Sequence, residues 1–350
     1  MSVQVYAGYP GYDVSNSDRG PSLASRSADV DRMAQRDAGF RFVATQSDHP
    51  RYELRRWPHL MAAPFLGVLT VWTMMKKTVC RMLGIAAPRV NSLFFDGLGP
   101  GTKAVKECAG QWKALDIIYN HRFYKQKFAA RGSVAGWIDG FWSGMLNCQA
   151  VRNRLRLAEM EIKHAILEMA TDDVRVISLA AGSAQGVIEV AKELKQRGIR
   201  VSLLLIDIEP RALAYAQNLA RTNGIGDQVE VLAGDVRKSI RVIHDRRPDI
   251  VEMIGLLDYL PDLMAIRLIS AIRRGLPDEG LFLTANIYKN FERHFVKWVM
   301  NWDMIYRNAT SLGNILASAG FQDFRLVAEP LGIHGIAIAR KSPAEMGQVR

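Results

Sequence analysis

Hydrophobic positions along the chain change character near residue 174. Beyond it, short and almost wholly apolar runs occur at 174–179, 201–206, 229–232, 250–254 and 281–285, with amphipathic stretches at 187–197, 211–222, 237–244 and 263–274 between them. Apolar runs of this length separated by helices read as parallel strands covered on both faces. The chain then passes through 291–307 and a helical stretch at 312–319 to two more short strands, 324–328 and 335–339. A helical pattern over 153–169 leads into this region and ends at the Thr171-Asp172-Asp173 turn.

The first half follows another pattern. Residues 1–50 are rich in Ser, Asp, Gly and Arg without apolar periodicity, and read as a disordered tail. Met61, Phe65, Val68, Trp72, Met75, Val79 and Met82 follow at steps of three and four, one stripe of a helix, with Lys77 and Arg81 off it. The plainest expectation is a helix packed on the chain's own core. An interfacial membrane helix is the alternative, and a bilayer span a third reading, marginal because the uncharged run 57–75 holds Pro58, Pro64 and Gly67. Residues 90–150 read as aromatic, basic and mainly helical. The division expected is a tail at 1–50, a basic helical region at 51–150 and an α/β domain at 151–342.

Charge sharpens that division. Of a net +11, residues 51–156 supply 17 Lys and Arg against 5 Asp and Glu, a net of +12, while 171–350 is near neutral. The basic segment is a candidate contact for an anionic partner such as a lipid surface. The composition, 49% apolar and 23% charged, is globular and excludes collagen-like, mucin-like and wholly disordered chains. Cys80, Cys108 and Cys148 form no CxxC pair, so neither a disulfide scaffold nor a metal site is expected. No secretory signal pattern opens the sequence, and a cytoplasmic setting, with peripheral membrane contact, is the expectation.

Candidate chemistry gathers at the ends of the first four strands. The first opens into Ala180-Ala181-Gly182-Ser183-Ala184-Gln185-Gly186 before a helix, a small-residue turn that lets a ligand approach the backbone and the helix N-terminus. The second ends in Asp207, 25 residues after Gly182, where a carboxylate can accept both hydroxyls of a ribose or cap the next helix. The third ends in Asp235, able to accept from an adenine amino group or to cap a helix. The fourth opens into Gly255-Leu256-Leu257-Asp258-Tyr259.

On these residues the stretch 174–340 resembles the class I S-adenosylmethionine-dependent methyltransferases. VISLAAGSAQG resembles the family's first motif, LLLIDIEP its acidic second-strand motif, AGD the next, PDIVEMIGLLDYLPD the stretch after it, and RRGLPDEGLFLTANI its fifth-strand turn. Ser178 stands where the first motif carries an acid, and Ala180 and Ala184 replace glycines. The resemblance implies a Rossmann-like, open, mostly parallel seven-stranded sheet with helices on both faces. It implies S-adenosylmethionine as cofactor, held by Ala180, Gly182, Ser183, Asp207, Ile208, Asp235, Val236 and Gly255.

The implied reaction is in-line methyl transfer to a small-molecule or lipid-like acceptor, with position and orientation as the protein's main contribution. LLDYL lacks the motifs of nucleic-acid base methylation, so nucleic acid is not favoured. Asp258, Tyr259 and Tyr288 are the candidate catalytic groups. A helix is expected to carry Phe295, Trp298, Trp302 and Ile305 over the crevice, with Tyr288, Trp298, Trp302 and Tyr306 lining the acceptor pocket. Tyr119, Arg122, Phe123, Tyr124, Arg152 and Arg154 offer aromatics and cations that could close over the cofactor. The alternative function is a non-catalytic adenosyl-binding module whose basic half docks on a membrane or partner.

Overall fold

A computed structural model describes residues 41–44, 52–87, 93–128 and 132–343. The apolar runs form one sheet: β1 Arg41–Ala44, β2 Asp173–Leu179, β3 Arg200–Asp207, β4 Val229–Ala233, β5 Ile250–Ile254, β6 Leu281–Ile287, β7 Asp323–Ala328 and β8 His334–Arg340. Its order is β1-β7-β8-β6-β5-β2-β3-β4, parallel except for β8, which runs antiparallel between β6 and β7. The seven expected strands are all present in this Rossmann-like sheet. β1 is an eighth and falls within the segment expected to be a tail: the edge of β7 offers unpaired backbone groups, and Arg41–Ala44 pairs with Arg325–Ala328. The remainder of 1–50 lies outside the described residues.

Alternate residues of each strand feed the two cores. On one face Val174, Val176, Leu203 and Leu205 pack under α6 Leu146–Glu168, α7 Gln185–Lys195 and α8 Pro210–Thr222. On the other Ile177, Leu179, Leu204 and Ile206 meet α9 Val236–Arg246, α10 Asp262–Gly275 and α12 Ala309–Ser318. The strand period of two thus sorts side chains between two helix layers. The expected domain boundary at residue 150 falls inside α6, which joins both halves in one rod.

The other helices are α1 Trp57–Met82, α2 Pro100–Glu107, α3 Trp112–Tyr119, α4 His121–Phe128, α5 Val134–Ser143 and α11 Arg293–Trp298. α2 to α5 share a third core with α11, built on Phe95, Trp142 and Phe295; the last two rings stack 5.5 Å apart. The helix expected over 291–307 stops at Trp298. Asn301 takes a positive φ of 58°, which keeps the helix from resuming, and Trp302 lies outside any helix.

α1 forms where the 3.6-residue period placed it but faces the other way. Its stripe does not pack on the chain's own core: Val68 is 71% exposed, Trp72 62% and Met82 75%. The inward face carries His59, Leu66, Thr70 and Thr73, all buried, and Lys77, whose Nζ donates to the Trp298 carbonyl at 2.6 Å and to Asn301 Oδ1. Among the described residues no helix is long and apolar enough to cross a membrane, which sets the spanning reading aside.

Candidate active site

The cleft lies at the carboxyl ends of β2, β3 and β5, where the strand order reverses and open α/β sheets bind ligands. Its floor is the turn after β2. Ala180, Gly182 and Ala184 take positive φ of 50°, 55° and 50°, unusual for alanine and marking a tightly determined loop. A Cβ on Gly182 would come within 3.2 Å of Trp112 Cβ, so glycine is needed both for the turn and for the approach of α3.

Asp207, at the end of β3, fixes this turn. Its Oδ2 accepts from the Gly182 N–H at 2.9 Å and its Oδ1 from the Glu209 N–H at 2.8 Å. Each oxygen has a second lone pair left, and Asp207 lines the cleft. The acid absent at Ser178 comes from the neighbouring strand. Glu252 on β5 stands in register with Ser178, accepts its hydroxyl at 2.5 Å and accepts the Ile254 N–H at 3.0 Å. Burial pushes its carboxyl up to about 7. The signal for it was the single acid in the apolar run IVEMI.

The helical half roofs the cleft through polar ties. Asp116 on α3 accepts from Tyr215 of α8 at 2.9 Å and from Tyr124 of α4 at 2.6 Å, and Asn120 donates to Gln185 of α7 at 3.0 Å. The rings of Trp112 and Tyr215 lie 5.0 Å apart. Of the residues expected to close over the cofactor, Tyr119 lines the cleft. Tyr124 is committed to Asp116, Arg122 and Phe123 are exposed, and Arg152 pairs with Glu53 at 2.6 Å.

Of the expected cofactor residues, Ala180, Gly182, Ser183, Asp207, Ile208 and Gly255 line the cleft. Asp235 and Val236 do not. Asp235 caps α9 by accepting the Lys238 N–H at 2.9 Å, and both are exposed beyond β4.

A second cavity adjoins the first, sharing Leu115, Gly255, Tyr259 and Trp302 with it. Trp302 Nε1 donates to the Tyr259 hydroxyl at 2.6 Å across that shared wall. Asp258 is buried in this cavity and accepts the Ile287 N–H at 2.7 Å; burial raises its carboxyl above the ordinary range. A third, largely apolar cavity adjoins this one at Ile118, Cys148, Val296 and Met300. Among the expected acceptor residues only Trp302 lines these spaces. Tyr288 packs in the sheet core against Gly335, Tyr306 against Leu331 and Ile333, and Trp298 faces α1 through its carbonyl.

A family model described as "putative methyltransferase" matches residues 89–341. The chain belongs to this methyltransferase family. The match extends the resemblance seen in the strands upstream across the helical roof. No curated protein matches the chain. A crystal structure described as a possible exported protein from Bordetella parapertussis superposes with a TM-score of 0.59 at 16% identity, over 83% of this methyltransferase and 100% of that chain. Magnesium protoporphyrin IX methyltransferase from Synechocystis, with bound SAH, gives 0.45 at 14% identity over 65% and 97%. The first of these likenesses shows the fold.

Proposed function

We propose that the chain transfers a methyl group from S-adenosylmethionine to a small-molecule or lipid-like acceptor. The observation that carries this reading is that the strand-end cleft lies beside a largely apolar cavity, the two sharing Leu115, Gly255, Tyr259 and Trp302. The cleft fits an adenosyl sulfonium cofactor. Asp207 has two oxygens with spare lone pairs for vicinal hydroxyls, the small residues Ala180, Ala181 and Ser183 of the turn line the cleft, and Glu252 offers a buried carboxylate for an ammonium. That cofactor supplies an already activated methyl group. The protein's share is to orient the acceptor, exclude water and hold Asp258 where a proton can be taken.

Calorimetric titration with S-adenosylhomocysteine, followed by turnover with labelled cofactor on a lipid and metabolite extract, tests the reading. Binding with transfer of label supports it. Absence of binding overturns it, and binding without transfer moves the chain to the non-catalytic adenosyl-binding alternative.

A second reading concerns place rather than chemistry, and the reversed face of α1 favours it. Apolar side chains pointing outward while threonines, a histidine and a lysine point inward suit a helix lying against lipid. No Asp or Glu occurs between Glu53 and Asp96, whereas Arg55 and Arg81 are exposed. Two copies meeting on this face would bring cations together; an anionic bilayer would neutralise them. We therefore propose peripheral attachment to anionic membranes through α1. Co-sedimentation with vesicles of mixed phosphatidylserine and phosphatidylcholine should pellet the full chain at low salt, less at high salt, and not the Trp72→Glu/Met75→Glu variant. Equal behaviour of the two proteins, or salt-independent dimerisation without pelleting, overturns it.

A further inference from the structure

Between the cofactor cleft and the third cavity sits a group of buried polar atoms that the protein does not satisfy. His334, at the start of β8, is 1% exposed, lines the middle cavity, and has no partner at either ring nitrogen. Arg154, from α6, is buried in the same wall. Its Nε has no partner, its Nη2 reaches the Tyr119 hydroxyl only at 3.4 Å, and its Nη1 stands 3.7 Å from Asp258 Oδ2, an ion-pair distance outside hydrogen-bond range. Other buried groups nearby are held: Arg307 by Asp262, Asn286 and two carbonyls, and Glu292 by the Leu146 and Asn147 N–H groups, whereas Asn147 Oδ1, in the same cavity wall, also has no partner. Leaving buried polar groups unsatisfied is costly, and four such atoms, with Asn147 Oδ1 counted, gather in the wall of one cavity, where a polar group of a ligand would match them.

The donor set says what that ligand carries. Burial, aided by the Arg154 charge, holds His334 well below its usual pKa, so its ring is neutral and offers one N–H and one lone pair. Arg154 offers N–H groups and Asp258 Oδ2 an acceptor. A hydroxyl, with one donor hydrogen and two lone pairs, matches this mixture. A carboxylate brings only acceptors and would meet Asp258 as a like charge. The adjoining surfaces, Ile118, Val296 and Met300, are apolar and shared with the third cavity.

We propose that the acceptor is an apolar molecule bearing a hydroxyl, its oxygen bound among Arg154, Asp258 and His334 and its apolar body extending past Val296 and Met300 into the adjoining cavity. This rests on the methyltransferase reading above. Arg154 and His334 donate to the oxygen, and Asp258 accepts its hydrogen.

The test is calorimetry on the full chain saturated with S-adenosylhomocysteine, titrated with 4-butylphenol, butylbenzene, 4-butylbenzoate and 4-octylphenol. The phenol should bind about tenfold tighter than butylbenzene, the scale of one or two good hydrogen bonds, and tighter than the benzoate. The octyl compound should gain at least about tenfold more by filling the adjoining cavity. His334→Phe should cut the preference for phenol over butylbenzene to within about threefold, while His334→Gln, whose amide both donates and accepts, should retain part of it. Equal affinity for phenol and butylbenzene overturns the inference, as does tighter binding of the benzoate. Displacement of S-adenosylhomocysteine by the phenol also overturns it, assigning Arg154 to the cofactor. If S-adenosylhomocysteine itself does not bind, the methyltransferase reading fails instead.

Discussion

α1 and α10 are both amphipathic helices, yet they use their apolar stripes in opposite senses. α10 buries Ala265, Leu268, Ile269 and Ile272 against the sheet, with Arg273 and Arg274 in its last turn. α1 turns Val68, Trp72, Met75 and Val79 outward and packs through Leu66, two threonines, a histidine and Lys77. Periodicity therefore establishes that a helix forms and which residues share a face. It does not establish which face the rest of the chain covers. For α10 that follows from strands whose apolar residues demand cover on both sides. Nothing comparable constrains α1.

The largest expected contrast is in stability. Leu205→Ala, in the middle of β3 and fully buried, should cost about 3–4 kcal/mol in urea unfolding. If it costs less than about 1 kcal/mol, the sheet is not the stable half. A pH dependence of similar size should come from Glu252. Its carboxyl is raised by burial from 4.5 to about 7, so it favours the fold while protonated. That contribution is full below about pH 4.5 and lost as pH rises through 7, roughly 3 kcal/mol in all. Other buried acids slope the same way, so the informative quantity is the difference between wild type and Glu252→Gln. The wild type should lose more stability between pH 5 and pH 8. Parallel curves would show that the carboxyl is ionised throughout.

Gly182→Val acts on the cleft. Forcing a branched side chain into a left-handed turn against Trp112 should lower stability by about 1–3 kcal/mol and abolish S-adenosylhomocysteine binding. Normal binding by that variant would place the ligand elsewhere. The smallest effect belongs to α1. Val68→Ser and Met75→Ser should each change unfolding free energy by less than about 0.5 kcal/mol, because neither side chain is buried. A loss near that of Leu205→Ala would mean the stripe is covered after all.

The sheet was legible because each strand is a short apolar run and each joint carries turn residues; Gly182 and Asp207 could be placed at strand ends from spacing alone. Glu252 was visible as an acid in IVEMI but not as the partner of Ser178, since cross-strand register is not written in either strand. Asp235 matched a family position yet serves α9 as a cap, the local hydrogen bond its short side chain makes most readily. His334 and Arg154 gave no periodic signal; their convergence depends on packing β8 against α6. Trp298 and Trp302 share a helical spacing that Asn301 interrupts.

The central claim is that the strand-end cleft holds an adenosyl cofactor through Asp207. Calorimetric titration of S-adenosylhomocysteine into wild type and Asp207→Ala, with unfolding measured in parallel, tests it most directly. The variant should bind more weakly by about 1.5–3 kcal/mol while losing only about 1 kcal/mol of stability, the scale of a charge-assisted hydrogen bond against that of a lost turn contact. Equal affinity in the two proteins would contradict the account.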